Sequence, residues 1–249
     1  MPPLFYQSYW FLLGSDVTKA ILIYLNSSTL PQALCHSFIT LILKVKNPGY
    51  ISQYHPISLG NVLYKVFSKV VANKLKKILP HLNSEHQSAF MTEHLISNNI
   101  IVAFETLHYM RNHSLGNTGY MALKLNMSKA YERIEWQYME KLMKKMGFDD
   151  AWTKLMMDCI SIATYSVLIN GEPHGHITPT RGLRQGDPLS PYLFLLCKKG
   201  FHELLKKAKS TRDIKGVSIF PNGPRLTHLL FANDNLVFCR AKENDCQSF

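Results

Sequence analysis

The chain has 249 residues, enough for one large domain or two modest ones, and its hydrophobic content of 46% excludes a disordered protein. A formal charge of +11, from 28 Lys and Arg against 17 Asp and Glu, favours an anionic partner such as nucleic acid, although an inert basic surface explains it equally well. Five scattered cysteines without a C-x-x-C pair imply neither a zinc site nor a disulfide framework. Without a signal peptide or a long apolar span, the chain is predicted to be nuclear or cytoplasmic and to have no membrane partner.

The first half of the chain is mainly helical by its hydrophobic periodicity. Helices are predicted over Val17–Leu25, Leu63–Ile78 and Ser97–Met110. A strand-like apolar run covers Ser37–Asn47, and a loop leads from it to Tyr54–Leu59. The pattern therefore predicts one early strand among several helices.

The helix over Leu63–Ile78, which Pro80 is predicted to end, has a strongly basic polar side. It carries no acidic residue, and its cations are Lys65, Lys69, Lys74, Lys76 and Lys77. Like charges on one helix repel each other, so we favour a face that contacts nucleic-acid phosphates over a merely solvated one.

The middle of the chain alternates strands and helices. Alternation predicts a strand over Tyr120–Leu125, and an apolar stripe predicts a helix over Glu135–Met146. Asp149 or Asp150 is expected to cap the next helix. Thr164–Ile169 and a return strand near His174–Ile177 flank an Asn-Gly turn and predict a hairpin.

The last part of the chain opens with a glycine-containing loop and closes with a hairpin. The loop begins the segment Arg181–Phe194, in which Ser190 is predicted to cap a helix that has Pro at its first position. Short strands at Leu226–Phe231 and Leu236–Cys239 enclose a polar tip. Because strands and helices are intermixed, the predicted fold class is α+β rather than a doubly wound sheet.

Three polar positions suggest the frame of a phosphoryl-transfer site. Position 126 ends one strand, and positions 233 and 234 lie at the tip of the last hairpin. Carboxylates at such places hold two divalent ions that clamp the attacking and leaving oxygens. Here the residues are Asn126, Asn233 and Asp234. On its own, this FAND tip is better explained as a hairpin with an Asx-rich turn than as a metal site.

Several longer sequence blocks occur in a characteristic order. They are YHPISLGNVLYKVFSKVVANKL, QSAF, FETLHYM, MALKLNMSKAYERIEW, KMGF, RGLRQGDPLSPYLFLLC and HLLFANDNLVFCRA. In this order they resemble the reverse transcriptase of plant non-LTR (LINE-type) retrotransposons, over essentially the whole chain. The block RGLRQGDPLSPYLF is the most specific of them.

The resemblance implies a right-hand polymerase, an RNA-directed DNA polymerase of the nucleotidyltransferase class. Residues 1–115 are expected to be fingers-like and 116–249 palm-like, with 147–185 partly at the junction of the two. The chain is expected to stop before the thumb and to lack a preceding endonuclease domain, either as a decayed transposon fragment or through gene-model boundaries.

The resemblance also implies roles for single residues. The family's metal-binding Asp residues fall on Asn126, Asn233 and Asp234, and Mg²⁺ is the expected cofactor. Nucleotide contacts are expected from Lys44, Lys129, Ala130, Tyr131, Gln185 and Gly186. The implied partners are an RNA template and a DNA primer, with deoxynucleoside triphosphates as substrates.

The departures from the family pattern argue against activity. Asn126 and Asn233 offer neutral oxygens where the family has its principal carboxylate ligands, which leaves Asp234 as the residual metal ligand. Loss of only about 4 kcal/mol of transition-state stabilisation slows a reaction ~10³-fold. We therefore predict a catalytically inactive domain that binds neither Mg²⁺ nor nucleotide productively. Among the milder departures, Lys198 and Lys199 are basic where the family is less so, at a helix position expected to be on the surface.

Two alternatives stay open. The first is a weakly active polymerase that holds metal through Asp234, substrate phosphates and Glu132. The second is a non-enzymatic nucleic-acid-binding protein that uses the basic helix. An expressed remnant without a selected function fits the same sequence.

Overall fold

The structure is a computed structural model that describes part of the chain. The described residues are 2–27, 29–82, 96–113, 119–127, 129–220, 223–230 and 234–242, with the backbone alone at 80–82 and 96–98. They form two compact units, Met1–Lys77 with Tyr131–Leu196, and Ile78–Ala130 with Cys197–Phe249. These units are defined by compactness alone, so the division into fingers-like and palm-like regions stays a prediction.

Helices and strands intermix along the described residues, which confirms the α+β class. The strands are β1 (His36–Leu43), β2 (Tyr54–Gly60), β3 (Tyr120–Asn126), β4 (Thr164–Ile169), β5 (Glu172–Ile177), β6 (His228–Leu230) and β7 (Asp234–Arg240). The α-helices are α1 (Pro3–Ser8), α2 (Trp10–Ser27), α3 (Gln32–Cys35), α4 (Val62–Leu82), α5 (Ile96–Asn112), α6 (Trp136–Lys145), α7 (Asp150–Ser161) and α8 (Ser190–Ser210). Short 3₁₀ turns cover Ile51–Gln53 and Tyr131–Arg133.

The first unit contains a four-stranded sheet in the order β2-β1-β4-β5. Strand β1 pairs antiparallel with β2 and parallel with β4. The predicted β4–β5 hairpin is confirmed, and its turn residues Asn170 and Gly171 have φ of 53° and 88°, as a tight hairpin turn requires. Strand β2 contains Pro56 and was not predicted, since the sequence indicated only a loop that leads up to Tyr54–Leu59. The strand lies at the sheet edge, where a missing N–H is tolerated.

Helix α4 provides a large share of the first unit's core. Its buried stripe contains Tyr64, Phe67, Val71 and Leu75, at the helical spacing that the sequence predicts. The helix does not end at Pro80 as predicted but continues to Leu82. Proline in the last turn removes a single backbone N–H, which costs much less than a break in mid-helix.

The second unit contains a three-stranded antiparallel sheet in the order β3-β7-β6. Apolar clusters cover both faces, because Ala122 packs with Phe238 and its neighbours while Met121 packs with Leu230 and Cys239. The sheet is therefore anchored on both sides, and the ends of β3 and β7 are held in a fixed register. Within the part of the chain that the structure describes, no helix is long and apolar enough to span a bilayer.

Candidate nucleotide and metal site

Two of the three predicted metal positions meet at one end of the second unit's sheet. Asn126 is the last residue of β3, and it lies directly opposite Asp234, the first residue of β7. Side chains opposite each other on an antiparallel pair have Cβ atoms about 4.5–5.5 Å apart and share one face of the sheet. Asn233 lies outside the described residues. The predicted juxtaposition of positions 126 and 234 is thus present in the backbone register.

Asp234 already has a cationic neighbour on this face. Its Oδ1 lies 3.5 Å from Nζ of Lys124, and the two side chains are 48% and 63% exposed. Lys124 shares the face because it precedes Asn126 by two residues in β3. An ion pair this exposed is weak, and a competing cation could displace it.

The opposite face of the same strand end holds a buried lysine. Lys198 of α8 is only 2% exposed, and its ammonium donates a hydrogen bond to Oδ1 of Asn235. Asn235, which is fully buried, donates from Nδ2 to the Leu125 carbonyl at 3.4 Å. Burial lowers the pKa of Lys198 to about 8, while attraction to Asp234 opposes that shift.

The expectation that Lys198 lies on the surface is therefore wrong. Lys198 follows the buried Leu195 by three residues and precedes the buried His202 by four. These spacings place all three residues on one face of α8, which is the buried face. The neighbouring Lys199 lies beside that face and forms an ion pair with Glu203 at 2.7 Å.

The donor set at this strand end does not fit two divalent metal ions. Asn126 contributes a neutral amide oxygen, and Asp234 contributes one carboxylate that already contacts Lys124. Mg²⁺ prefers anionic oxygen ligands. Among the described residues, no group of three or more His, Cys, Asp and Glu side chains is arranged to hold a metal ion.

Lys129 and Ala130, two of the predicted nucleotide contacts, follow the end of β3 within four residues. Lys129 is exposed and has φ of 54°, a left-handed conformation that is uncommon for a residue with a side chain. Ala130 is half-buried beside it. The turn at Lys129 thus redirects the chain immediately after the strand that carries Asn126.

In the first unit, the loop of residues 184–187, here called the RQGD loop after its sequence, lies against strand β2. The Ser58 N–H donates to the Gln185 carbonyl at 3.3 Å. Gly186 has φ of 87°, and a Cβ there would lie 3.4 Å from the Ser58 carbonyl oxygen. The glycine is therefore favoured by its left-handed backbone conformation, whereas a Cβ would make an ordinary van der Waals contact with Ser58. Gln185 donates from Nε2 to Oε1 of Glu132 at 3.4 Å.

A buried carboxylate that sequence reasoning passed over anchors this loop. Asp187 accepts hydrogen bonds from the Tyr64 hydroxyl at 2.7 Å, from the Ser68 hydroxyl, and from the Leu189 N–H at 3.1 Å. Arg184 lies over the Tyr64 ring at 4.3 Å. Burial and the nearby carboxylate raise the pKa of Tyr64 well above its usual value, which keeps the phenol a donor.

The prediction that the Ser190 side chain caps helix α8 is wrong. Helix α8 begins at Ser190 itself, and the Ser190 hydroxyl has no hydrogen-bond partner among the described residues. The carboxylate of Asp187 instead accepts the Leu189 N–H, and its carbonyl accepts the Ser190 N–H at 3.3 Å. Asp187 therefore organises the turn that leads into α8, and among the described residues its side chain accepts no N–H from within the helix.

Tyr131 lies in the first unit next to the RQGD loop. Its ring stacks on Phe194 with centroids 4.9 Å apart, and its carbonyl accepts the Leu183 N–H at 2.7 Å. Burial raises the pKa of the Tyr131 phenol. The structure therefore brings Tyr131 and Gln185 into one neighbourhood, whereas Lys44 follows β1 and donates from Nζ to the Ser52 carbonyl at 3.3 Å.

The predicted basic face of α4 is largely exposed. Lys65 is half-buried, whereas four cations are exposed: Lys69, Lys74, Lys76 and Lys77. At 3.6 residues per turn, Lys65, Lys69 and Lys76 lie within about 40° of one another. Lys74 lies elsewhere on the helix, with Nζ 6.0 Å from the Trp152 ring centroid.

Comparison with known proteins identifies the family. The reverse transcriptase (RNA-dependent DNA polymerase) family profile matches residues 44–248. A 149 kDa protein of transposon TX1 from Xenopus laevis is 27% identical over 203 residues, which are 82% of this chain and 15% of that protein. A Pol polyprotein of the type-1 retrotransposable element R2 from Popillia japonica is 24% identical over 210 residues, 83% of this chain and 27% of that protein.

A third relative is more similar over a shorter stretch. An uncharacterized mitochondrial protein of Arabidopsis thaliana is 52% identical over 67 residues, which are 27% of this chain and 55% of that protein. The chain thus spans between 15% and 55% of the length of these three relatives. These matches confirm the predicted resemblance to retrotransposon reverse transcriptases. The chain belongs to the reverse transcriptase (RNA-dependent DNA polymerase) family.

Proposed function

We propose that this chain is a retrotransposon-type reverse transcriptase domain that has lost metal-dependent catalysis. The second unit carries the remnant of the metal site at the end of β3 and β7. The first unit carries nucleotide-contacting positions at Lys44, Tyr131, Gln185 and Gly186. In the family's terms, the strand end belongs to the palm and Lys44 to the fingers.

The observation that carries this proposal is the pairing of Asn126 with Asp234. These two positions lie opposite each other, and only one of them bears a carboxylate, which already contacts Lys124. Two dications need several negative charges to displace their tightly held water. One carboxylate is too little, so the attacking and leaving oxygens lack the clamp that this chemistry needs.

The size of the expected defect follows from the same argument. Each charge lost from the metal site weakens metal occupancy and the stabilisation of the transferring phosphoryl group. A combined loss of about 4 kcal/mol corresponds to ~10³-fold in rate. Two missing carboxylates and reduced occupancy together imply a larger loss, which brings extension below detection in an ordinary assay.

Primer extension on a primed RNA template tests the proposal. The purified chain is expected to show no Mg²⁺-dependent extension, and the Asp234→Ala variant serves as the background control. Extension by the native chain that disappears in Asp234→Ala would refute the proposal. Primer extension by the Asn126→Asp, Asn233→Asp double variant tests whether carboxylates at these two positions are sufficient for activity.

A second candidate function is nucleic-acid binding without catalysis. It is favoured by the three lysines that share one face of α4, because none of them forms a salt bridge with a described acidic side chain. Phosphates are natural partners for such a face. We propose that this face contributes to binding of a template and primer.

The salt dependence of binding tests this second function. Replacing Lys65, Lys69 and Lys76 by Gln is expected to reduce the slope of log K against log salt concentration by about 2–3 on duplex DNA. The matched control replaces Lys141, Lys145 and Lys154, three exposed lysines of α6 and α7, by Gln. Equal slopes for the two triple variants would show that the net charge, rather than this face, drives binding.

A further inference from the structure

A positive charge is buried directly beneath the candidate metal site. Lys198 lies on the opposite face of the sheet from Asp234, and it is bonded to Asn235, the next residue along β7. Asn235 in turn reaches the Leu125 carbonyl, one residue before Asn126. The ammonium is thus connected to both strands at the end where positions 126 and 234 meet.

This arrangement reverses the electrostatics that a metal site needs. Among the described residues around the strand end, the single carboxylate of Asp234 is accompanied by the ammonium groups of Lys124 and Lys198. Lys124 is exposed, so water and salt screen its charge. Lys198 is buried, where charges are screened much less and act over longer distances.

We propose that the buried positive charge of Lys198 repels divalent cations from the end of β3 and β7. This charge thereby lowers the affinity of the strand end for divalent metal ions. The inference rests on the proposed function, since that assigns the metal positions to Asn126, Asn233 and Asp234. It adds that restoring the two carboxylates restores metal binding only in part while Lys198 remains charged.

A purely structural role for Lys198 makes a different prediction. In that case the hydrogen bond to Asn235 fixes α8 against β7, and the charge itself has no effect on cation binding. Lys198→Gln separates the two roles because glutamine keeps a donor for Asn235 but has no charge. Lys198→Met removes both the donor and the charge and fills a similar volume.

The experiment uses the Asn126→Asp, Asn233→Asp double variant of the full chain as its background. Mn²⁺ serves as the probe, and the free ion is followed by electron paramagnetic resonance during titration. Lys198→Gln and Lys198→Met are each added to this background. Lys199→Met is the matched control, because it removes the same formal charge from the neighbouring residue, which is paired with Glu203. Circular dichroism checks that each variant is folded.

The expected result is an increase in Mn²⁺ affinity of about tenfold or more in both Lys198 variants, because a buried charge of the same sign as the metal has been removed. The Lys199→Met control is expected to change the affinity by less than about threefold, since the Lys199 charge is already neutralised by its ion pair with Glu203 at 2.7 Å. Equal effects of Lys198→Gln and Lys199→Met would overturn the proposal, and so would unchanged affinity in the Lys198 variants.

The outcome is separable from that of the proposed function. Primer extension by the native chain would refute catalytic inactivity and leave the comparison of Lys198 with Lys199 intact. Conversely, the native chain could be inactive in primer extension while the Lys198 substitutions leave the Mn²⁺ affinity of the double variant unchanged. That result would support the proposed function and refute this inference.

Discussion

Two aspartates in different parts of the molecule stand in opposite environments. Asp187 in the first unit is buried and accepts hydrogen bonds from two hydroxyls and a backbone N–H. Asp234 in the second unit is half-exposed, pairs with Lys124, and lies opposite an asparagine. The first carboxylate organises a loop and a helix start, whereas the second lies at the surface between the cationic Lys124 and the neutral Asn126.

The difference shows that the determinants of fold and of chemistry lie in separate residues. The RQGD loop, the stacked Tyr131 and the register of β3 with β7 are all in place. None of these features requires a carboxylate at position 126 or 233. A chain can therefore keep the architecture of its family while the reaction is lost, which is the situation we propose here.

The largest expected effect comes from removing each aspartate in turn. Asp187→Ala removes the buried carboxylate that the Tyr64 and Ser68 hydroxyls donate to and leaves the buried Arg184 charge without this nearby anion, so we expect a loss of about 3–5 kcal/mol in the free energy of unfolding. Asp234→Ala breaks only an exposed ion pair and is expected to cost less than about 1 kcal/mol. Urea denaturation of both variants measures the difference. Similar losses for the two would contradict the contrast drawn between these environments.

The next effect concerns the pH dependence of the buried lysine. The pKa of Lys198 is about 8 in the folded chain, below its ordinary value of 10.5. Between these values the unfolded state binds more protons, so stability rises with pH over that interval. Relative to Lys198→Met, the native chain should gain about 3 kcal/mol in the free energy of unfolding from about pH 7 to pH 10.5.

Urea denaturation at the two pH values measures this gain, and Lys199→Met provides the control. If the native chain and Lys198→Met respond to pH in parallel, Lys198 is not buried as a charged group, and the contrast between the two regions loses its electrostatic basis.

A smaller effect tests the backbone of the RQGD loop. Gly186→Ala places a side chain on a backbone with φ of 87°, which L residues rarely adopt, so a loss of about 1–2 kcal/mol is expected. Gly49→Ala is the control, because that position has open space around it and no such backbone conformation. Equal stabilities of the two variants would show that the loop does not depend on the glycine.

Sequence patterns predicted the elements in which local and global preferences agree. The stripe over Leu63–Ile78, the alternation over Tyr120–Leu125 and the Asn-Gly turn each match an observed element. Each has its own periodicity or turn chemistry, so little tertiary information was needed. Strand β2 was missed because Pro56 is disfavoured in strands, and only its position at the sheet edge makes it acceptable.

The candidate site was predicted less completely. The positions of Asn126 and Asp234 could be predicted because each ends or begins a recognisable strand. The burial of Lys198 could not, since a lysine pair on a helix is normally solvated and its buried acceptor Asn235 is remote in sequence. Asp187 was overlooked because its partners, Tyr64 and Ser68, are remote in sequence.

The most direct test of the central claim is a Mn²⁺ titration of the native chain beside its Asn126→Asp, Asn233→Asp variant. The account predicts that the native chain shows no saturable binding below the millimolar range and that the double variant binds more tightly, because carboxylates replace neutral amides. Saturable micromolar binding by the native chain that is abolished in Asp234→Ala would contradict the claim that this strand end has lost its capacity to hold metal.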